Sequence, residues 1–213
     1  VTRHTIQQGE YLSLLAEKAG FRNAMTVWEA AENADLRAAR PNPCVLYPGD
    51  ILTIPDKTVR AVGAPTTKIN TYVVKTDQLQ LRFKLLDFDN KPMAGVPITL
   101  TVEGDTSELT TAGDGSIFRK IPRTAQSAQI AIPSLAMDLP VFIGHLDPTA
   151  EDSGWRARLV NLGYYAGQVD DSGDDADKLW SWALEEFQCD FGLPITGQPN
   201  SATTAKLESV HGS

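Results

Sequence analysis

The spacing of apolar residues changes twice along this chain, from a helical period to a period of two and back again. A helix and a half-buried strand bring different residues to one side, so each change of period marks a change of element type. Two such changes within 213 residues point to three small modules, each near the lower size limit for a self-sufficient core. Near the start, Leu12, Leu15, Ala16 and Ala19 recur at helical spacing, and Gly20 follows as a C-terminal cap residue. Thr26 with Glu29 forms a capping-box pattern that opens a second helix through Trp28, Ala30 and Ala31. Short strands are expected from His4 to Gln7 and from Ile51 to Ile54, the second ended by Pro55, in the order β-α-α-β.

Residues 58–68, with Gly63, Pro65 and two threonines, have the composition of a linker. Beyond it, Leu79, Leu81, Phe83 and Leu85 alternate with polar residues, as do Val96, Ile98, Leu100 and Val102. Turn residues at Asp89-Asn90-Lys91-Pro92 and Gly113-Asp114-Gly115 separate these runs. The expectation is a small antiparallel β-sandwich over residues 69–135, then a second linker over 136–150. From 151 to 213 the helical period returns. Trp155, Leu159 and Leu162 fit one helix face, Leu179, Ala183 and Phe187 a second, and a third short helix runs through Thr203 to Leu207. The fold class is thus multidomain α+β, with three C-terminal helices around an aromatic core.

Charge separates the modules further. Residues 141–213 carry four Lys/Arg against twelve Asp/Glu, so this segment alone equals the net charge of −8 of the whole chain. An acidic end disfavours nucleic acid, whose binding depends on phosphate neutralisation. It also repels anionic wall polymers weakly at long range. No apolar run approaches the roughly 20 residues of a membrane-spanning helix. The N-terminus lacks the basic-then-apolar pattern of a secretory signal, so either a signal has been removed or the protein is expected to use another route.

Three stretches resemble known families. The run His4-Thr5-Ile6-Gln7-Gln8-Gly9-Glu10, closed by Leu46-Tyr47-Pro48-Gly49-Asp50-Ile51-Leu52-Thr53-Ile54-Pro55, resembles a LysM domain over residues 1–57. The run Leu162-Gly163-Tyr164-Tyr165-Ala166-Gly167-Gln168-Val169-Asp170, with Phe187-Gln188 and Gly192-Leu193, resembles a helical peptidoglycan-binding domain. The middle segment, through Asp87 to Ile98 and Thr111 to Gly115, is similar to bacterial Ig-like or carboxypeptidase-regulatory-like spacers. Gly20-Phe21, Trp28, Asn33, Leu36, Arg40 and the Leu46–Asp50 stretch are also similar to LysM proteins associated with contractile injection (type VI secretion) systems.

The LysM resemblance implies a groove for N-acetylglucosamine-containing glycan, formed by Gly9, Glu10, Tyr11 and Leu12 facing Leu46, Tyr47, Pro48 and Gly49. Backbone amides there would bond N-acetyl groups while aliphatic and aromatic side chains pack on the sugar face. The same glycines and proline are also the turns that the fold needs. Tyr11 stands where the family carries threonine, and residues 36–42 lengthen the approach to the second strand. In the C-terminal module, Tyr165, Asp170 and Gln188 are the candidates for a second wall-binding groove, whereas Phe187 is expected in the core.

Evidence for catalysis is thin at the level of spacing. His4, His145 and His211 stand in no metal-ligand pattern, no GxSxG elbow occurs, and neither Cys44 nor Cys189 has a histidine beside it. The two cysteines are expected as buried or half-buried thiols rather than as the alternative, an interdomain disulfide. Asp170, Asp174 and Asp177 supply oxygen donors but lack the order of an EF-hand, so a solvated acidic loop is expected. The reading is a non-enzymatic binder without metal or cofactor, whose partner is peptidoglycan or a chitin-like glycan. Such a protein would wait in the bacterial cytoplasm and act at the periplasm and wall. The alternative is an adaptor whose modules recognise a secretion-spike or effector protein, and a wall-degrading effector stands third.

Overall fold

The computed structural model describes residues 1–58, 61, 63–73, 78–167 and 174–212. Its contacts divide it into two compact units, one of Val1–Cys44 with Pro48–His145 and one of Leu146–Ser213 with Val45–Tyr47.

The first unit begins with β1 (Thr2–Thr5), α1 (Leu12–Lys18), α2 (Ala24–Trp28), a 3-10 turn (Ala31–Asn33), α3 (Ala34–Ala39) and β2 (Ile51–Ile54). Strands β1 and β2 pair antiparallel, with His4 opposite Leu52. Helix α1 stops as expected: Gly20 adopts φ +74°, and the Phe21 amide reaches back to the Ala16 carbonyl at 2.8 Å. The second helix starts two residues before Thr26, because the Asn23 side chain already accepts from the Met25 amide at 2.8 Å. Helix α3 takes up part of residues 36–42, the stretch expected to lengthen the approach to the second strand. Buried Asn33 makes this possible. It donates to the Val27 and Thr53 carbonyls at 2.7 and 2.8 Å and accepts from the Thr53 amide at 2.7 Å, fixing the turn before α3 to β2.

The same unit continues into two antiparallel sheets. Strands β3 (Leu79–Lys84) and β6 (Ser116–Ile121) form one, and the other has the order β5-β4-β7-β8. Here β4 is Pro97–Val102, β5 Asp105–Thr110, β7 Ser127–Ile132 and β8 Met137–Phe142. Ile98, Leu100, Val102, Ile117, Ile121, Ala125, Ala128, Ile130 and Ile132 make one buried core, with Leu79, Leu81 and Phe83 packed against it. The alternation in β3 and β4 was legible. The start of the second linker was not: Met137–Phe142 pairs along β7, so the β-rich part runs past residue 135. Leu139 and Val141 alternate inward there, but Pro140 and Asp138 weaken the strand signal.

The second unit carries α4 (Asp152–Asn161), α5 (Asp174–Asp190) and α6 (Ser201–His211). Trp155, Leu159, Tyr164, Ala183, Leu184, Phe187 and Leu207 form its core. The Phe187 ring is fully buried, edge-on to Tyr164 with centroids 5.5 Å apart and tilted against Phe191 at 4.8 Å. Helix α5 ends like α1, with Gly192 at φ +64° and the Leu193 amide on the Gln188 carbonyl at 2.8 Å. Gly154 leaves no room for a side chain, since a Cβ there would run into the Asp147 and Pro148 carbonyls.

Two outcomes test this packing. Phe187→Ala should cost the second unit about 3–5 kcal/mol in urea unfolding, as for other buried rings truncated to alanine. His211 gives a pH signature. Burial, and then the nearby charge of Arg158, holds its imidazole down to about 4. The unfolded ring protonates as pH falls through its ordinary value of 6.5, whereas the folded ring stays neutral to about 4. The folded state therefore loses stability as pH falls across that window. His211→Gln, whose amide can still meet Asn161, should show a flatter melting temperature there in circular dichroism.

Candidate functional site

Gly9, Glu10, Tyr11 and Leu12 form the turn from β1 into α1, and Pro48 and Gly49 lead into β2. The Gly49 amide bonds the Ile6 carbonyl at 2.9 Å and the Ile6 amide bonds the Asp50 carbonyl at 2.8 Å, so the two turns lie side by side. Arg40 braces Asp50 with two bonds, 3.0 and 3.3 Å. Leu46 is buried and Tyr47 half-buried, and both group with the second unit. The eight residues expected as one groove are thus divided between the units.

The strand-to-helix turn is covered within its own unit. Gly9 is buried at φ +83°, and a side chain there would meet His145 Nε2 at 2.7 Å. Gly144 comes as close from the other direction: a Cβ on it would sit 2.6 Å from the Tyr11 ring and 2.8 Å from the Gly9 carbonyl oxygen. Tyr11 is only 5% exposed, and its hydroxyl donates to the Ala125 carbonyl at 2.6 Å with the Arg123 carbonyl at 3.0 Å. Burial, reinforced by the charge of Glu103, pushes this hydroxyl up to about 12, so it remains a donor at neutral pH. Arg123 returns the contact, donating to Glu17 Oε2 at 2.6 Å and to the Phe21 carbonyl at 3.1 Å.

Glu10 is engaged too. Its carboxylate meets His4 Nε2 at 2.6 Å and accepts from the Gln7 amide at 3.0 Å. Burial alone would raise this carboxyl, but the bonds from His4 and Gln7 and the charges of His4 and Lys18 outweigh it and hold it below its ordinary value. Tyr11, expected on a sugar-binding floor, is instead a buried anchor between α1 and the segment before β7.

In the second unit, Tyr165, expected in the second groove, is 69% exposed. Asp170 lies outside the described residues. Gln188, expected on the same groove, is fully buried. Its amide nitrogen donates to the Gln198 carbonyl at 3.0 Å, Thr196 Oγ1 at 3.1 Å and Thr203 Oγ1 at 3.2 Å. Its oxygen accepts from the Thr196 and Gly197 amides at 2.7 and 3.1 Å. A side chain saturated in this way fixes the loop before α6 and has nothing left to offer a ligand.

Trp182 escaped the sequence reading. It lies on α5 and is 59% exposed, on the stripe Lys178, Trp182, Glu185 and Cys189, all of which face solvent. The signal was present, since those positions are spaced i, i+4, i+7 and i+11 while Ala183 and Phe187 mark the buried side. An exposed indole offers a flat apolar face with an N–H at its rim, which suits stacking on the CH face of a sugar ring.

Cys44 and Cys189 are both free and exposed, where buried or half-buried thiols were expected. Among the described residues, no group of three His, Cys, Asp or Glu could hold a metal ion, and no helix is long and apolar enough to cross a membrane.

The Tyr11 contact has a measurable weight. Tyr11→Phe keeps the ring and removes the donor, leaving the buried Ala125 carbonyl short of one bond. The expected loss is about 1–3 kcal/mol in the unfolding of the first unit, read by urea titration.

Comparison with known proteins is selective. A search of curated proteins returned no significant match, and neither did a search of solved structures. Residues 156–207, which run from within α4 into α6, match the model of the family described as "Putative peptidoglycan binding domain", and this supports peptidoglycan binding by the C-terminal helices.

Proposed function

We propose that this protein is a non-catalytic peptidoglycan binder whose wall contact is made by the C-terminal helices. The observation that carries this reading is the family match over residues 156–207. Tyr165 and Trp182 support it as exposed aromatics on that unit. The ligand is the N-acetylglucosamine-containing glycan with its stem peptides, and the site of action is the cell wall. The N-terminal LysM-like module contributes mainly through its fixed place on the β-rich part, because the turn at Gly9 and Tyr11 is already filled.

That filled turn favours a second reading for the N-terminal module alone, recognition of protein. The sequence likeness to LysM proteins of contractile injection systems then makes it an adaptor or accessory, loaded from the cytoplasm and delivered to the periplasm.

Co-sedimentation of the full chain with insoluble peptidoglycan tests the main reading. Saturable pelleting is expected, and Trp182→Ala or Tyr165→Ala should weaken it about tenfold, in line with the loss of one aromatic contact of roughly 1–2 kcal/mol. If the folded full chain stays in the supernatant at all concentrations, wall binding is wrong and spike proteins become the partners to try.

A further inference from the structure

The sheet of β3 and β6 has an outer face rich in cations. Its register sets Gln80 opposite Lys120, Arg82 opposite Phe118 and Lys84 opposite Ser116. Strand alternation sends these six residues to one side, while Leu79, Leu81, Phe83, Ile117 and Ile121 go to the core. Three of the six are cations and none is an acid. All three cations are exposed, and Phe118 is 57% exposed among them. The Arg82 guanidinium lies over the Phe118 ring at 5.0 Å, which orients the cation without neutralising it. Among the described residues, the acid that pairs with this face is Asp114, 3.9 Å from Lys84 and itself solvent-exposed. The outer side of the four-stranded sheet differs, with Thr99 bonded to Glu108 and Thr101 to Thr106.

We propose that this face, formed by Arg82, Lys84, Lys120 and Phe118, is a second wall contact that takes the carboxylates of peptidoglycan stem peptides. The proposal rests on the peptidoglycan reading above. Charge complementarity selects the ligand. Stem peptides carry free carboxylates from their acidic residue and their C-terminal end, and the polymer repeats them at short intervals. Neighbouring cations on one strand face are about 7 Å apart, so a single stem can span two of them. Arginine grips a carboxylate with two N–H donors, and Phe118 gives the alanine methyls an apolar floor. The face also answers an electrostatic difficulty, because residues 141–213 are strongly acidic and repel the same polymer. A basic contact elsewhere on the chain raises the encounter rate and adds avidity to the helical site.

The test is co-sedimentation of the full chain with peptidoglycan at 50 and 300 mM NaCl, two concentrations chosen to differ in screening. The variant Arg82→Gln/Lys84→Gln/Lys120→Gln changes only exposed side chains, and an unchanged melting temperature verifies its fold. It should bind about tenfold more weakly at low salt and lose most of the salt dependence. The control Lys18→Gln/Arg22→Gln/Lys68→Gln removes the same charge from other surfaces and should bind as the unaltered protein does. Peptidoglycan with its carboxylates converted to amides should hold the unaltered protein no better than native peptidoglycan holds the triple variant.

Undiminished, equally salt-sensitive binding by the triple variant would mean that these cations only guard the sheet against edge pairing. It would overturn this inference and leave the helical site standing. An equal loss in the control variant would overturn it as well, since net charge and not this face would then govern. No pelleting of the unaltered protein would overturn both readings together.

Discussion

The first unit depends on how the chain leaves β1. Between Gly9 and Leu12 the backbone turns through a left-handed glycine, and Tyr11 is then committed to the interior with its hydroxyl on the Ala125 carbonyl. Gly9 and Gly144 are both needed, because a Cβ on either would strike the opposite segment. The outcome is a shared seam. Tyr11 reaches from the helical part into the β-rich part, and Arg123 reaches back to Glu17 and Phe21. Neither small core has to stand alone, which matters for modules of this size. The same seam removes Gly9 and Tyr11 from solvent and so constrains what the N-terminal module can bind.

Gln188 does the equivalent work in the second unit with polar chemistry. A fully buried amide is costly unless both its ends are bonded, and here the donors and the acceptor all have partners in residues 196–203. It sits beside Phe187, one turn before the Gly192 cap, so the aromatic core and the loop leading to α6 are set from adjacent residues. Packing and hydrogen bonding are thereby coupled. A change at either position would loosen the surface on which Trp182 stands.

Legibility followed the range of the physics involved. Phe187, Leu159 and Ala183 were readable as core because a helix face needs only local periodicity. So were β3 and β4, and the cap at Gly20, which depends on a few neighbouring residues. Tyr11 and Gln188 were misplaced for one reason: their partners are 114 and 8–15 residues away, and no local pattern announces a hydrogen bond across such distances. Polar groups at motif positions look like ligand contacts until the fold shows their bonds already made. Strand β8 failed differently, since its pairing with β7 supplies what its own sequence lacks. Trp182 was legible on the helical stripe, but a large apolar residue draws attention to the core first.

The distribution of charge means that the proposed wall attachment cannot be carried by long-range attraction to the helical end. That end holds the whole net charge of −8, so binding there must come from short-range stacking and hydrogen bonding that outweigh a repulsive field. Exposed Tyr165 and Trp182 suit this, because an aromatic face gains from desolvation and van der Waals contact and is largely indifferent to salt. The contact proposed on the outer face of β3 and β6 draws on the opposite physics, with strength that falls as ions screen it. A polymer that is both glycan and polyanion presents both kinds of partner in every repeat. A chain that divides them between two surfaces gains affinity for that polymer over neutral glycans, which satisfy only the first, and over soluble polyanions, which satisfy only the second.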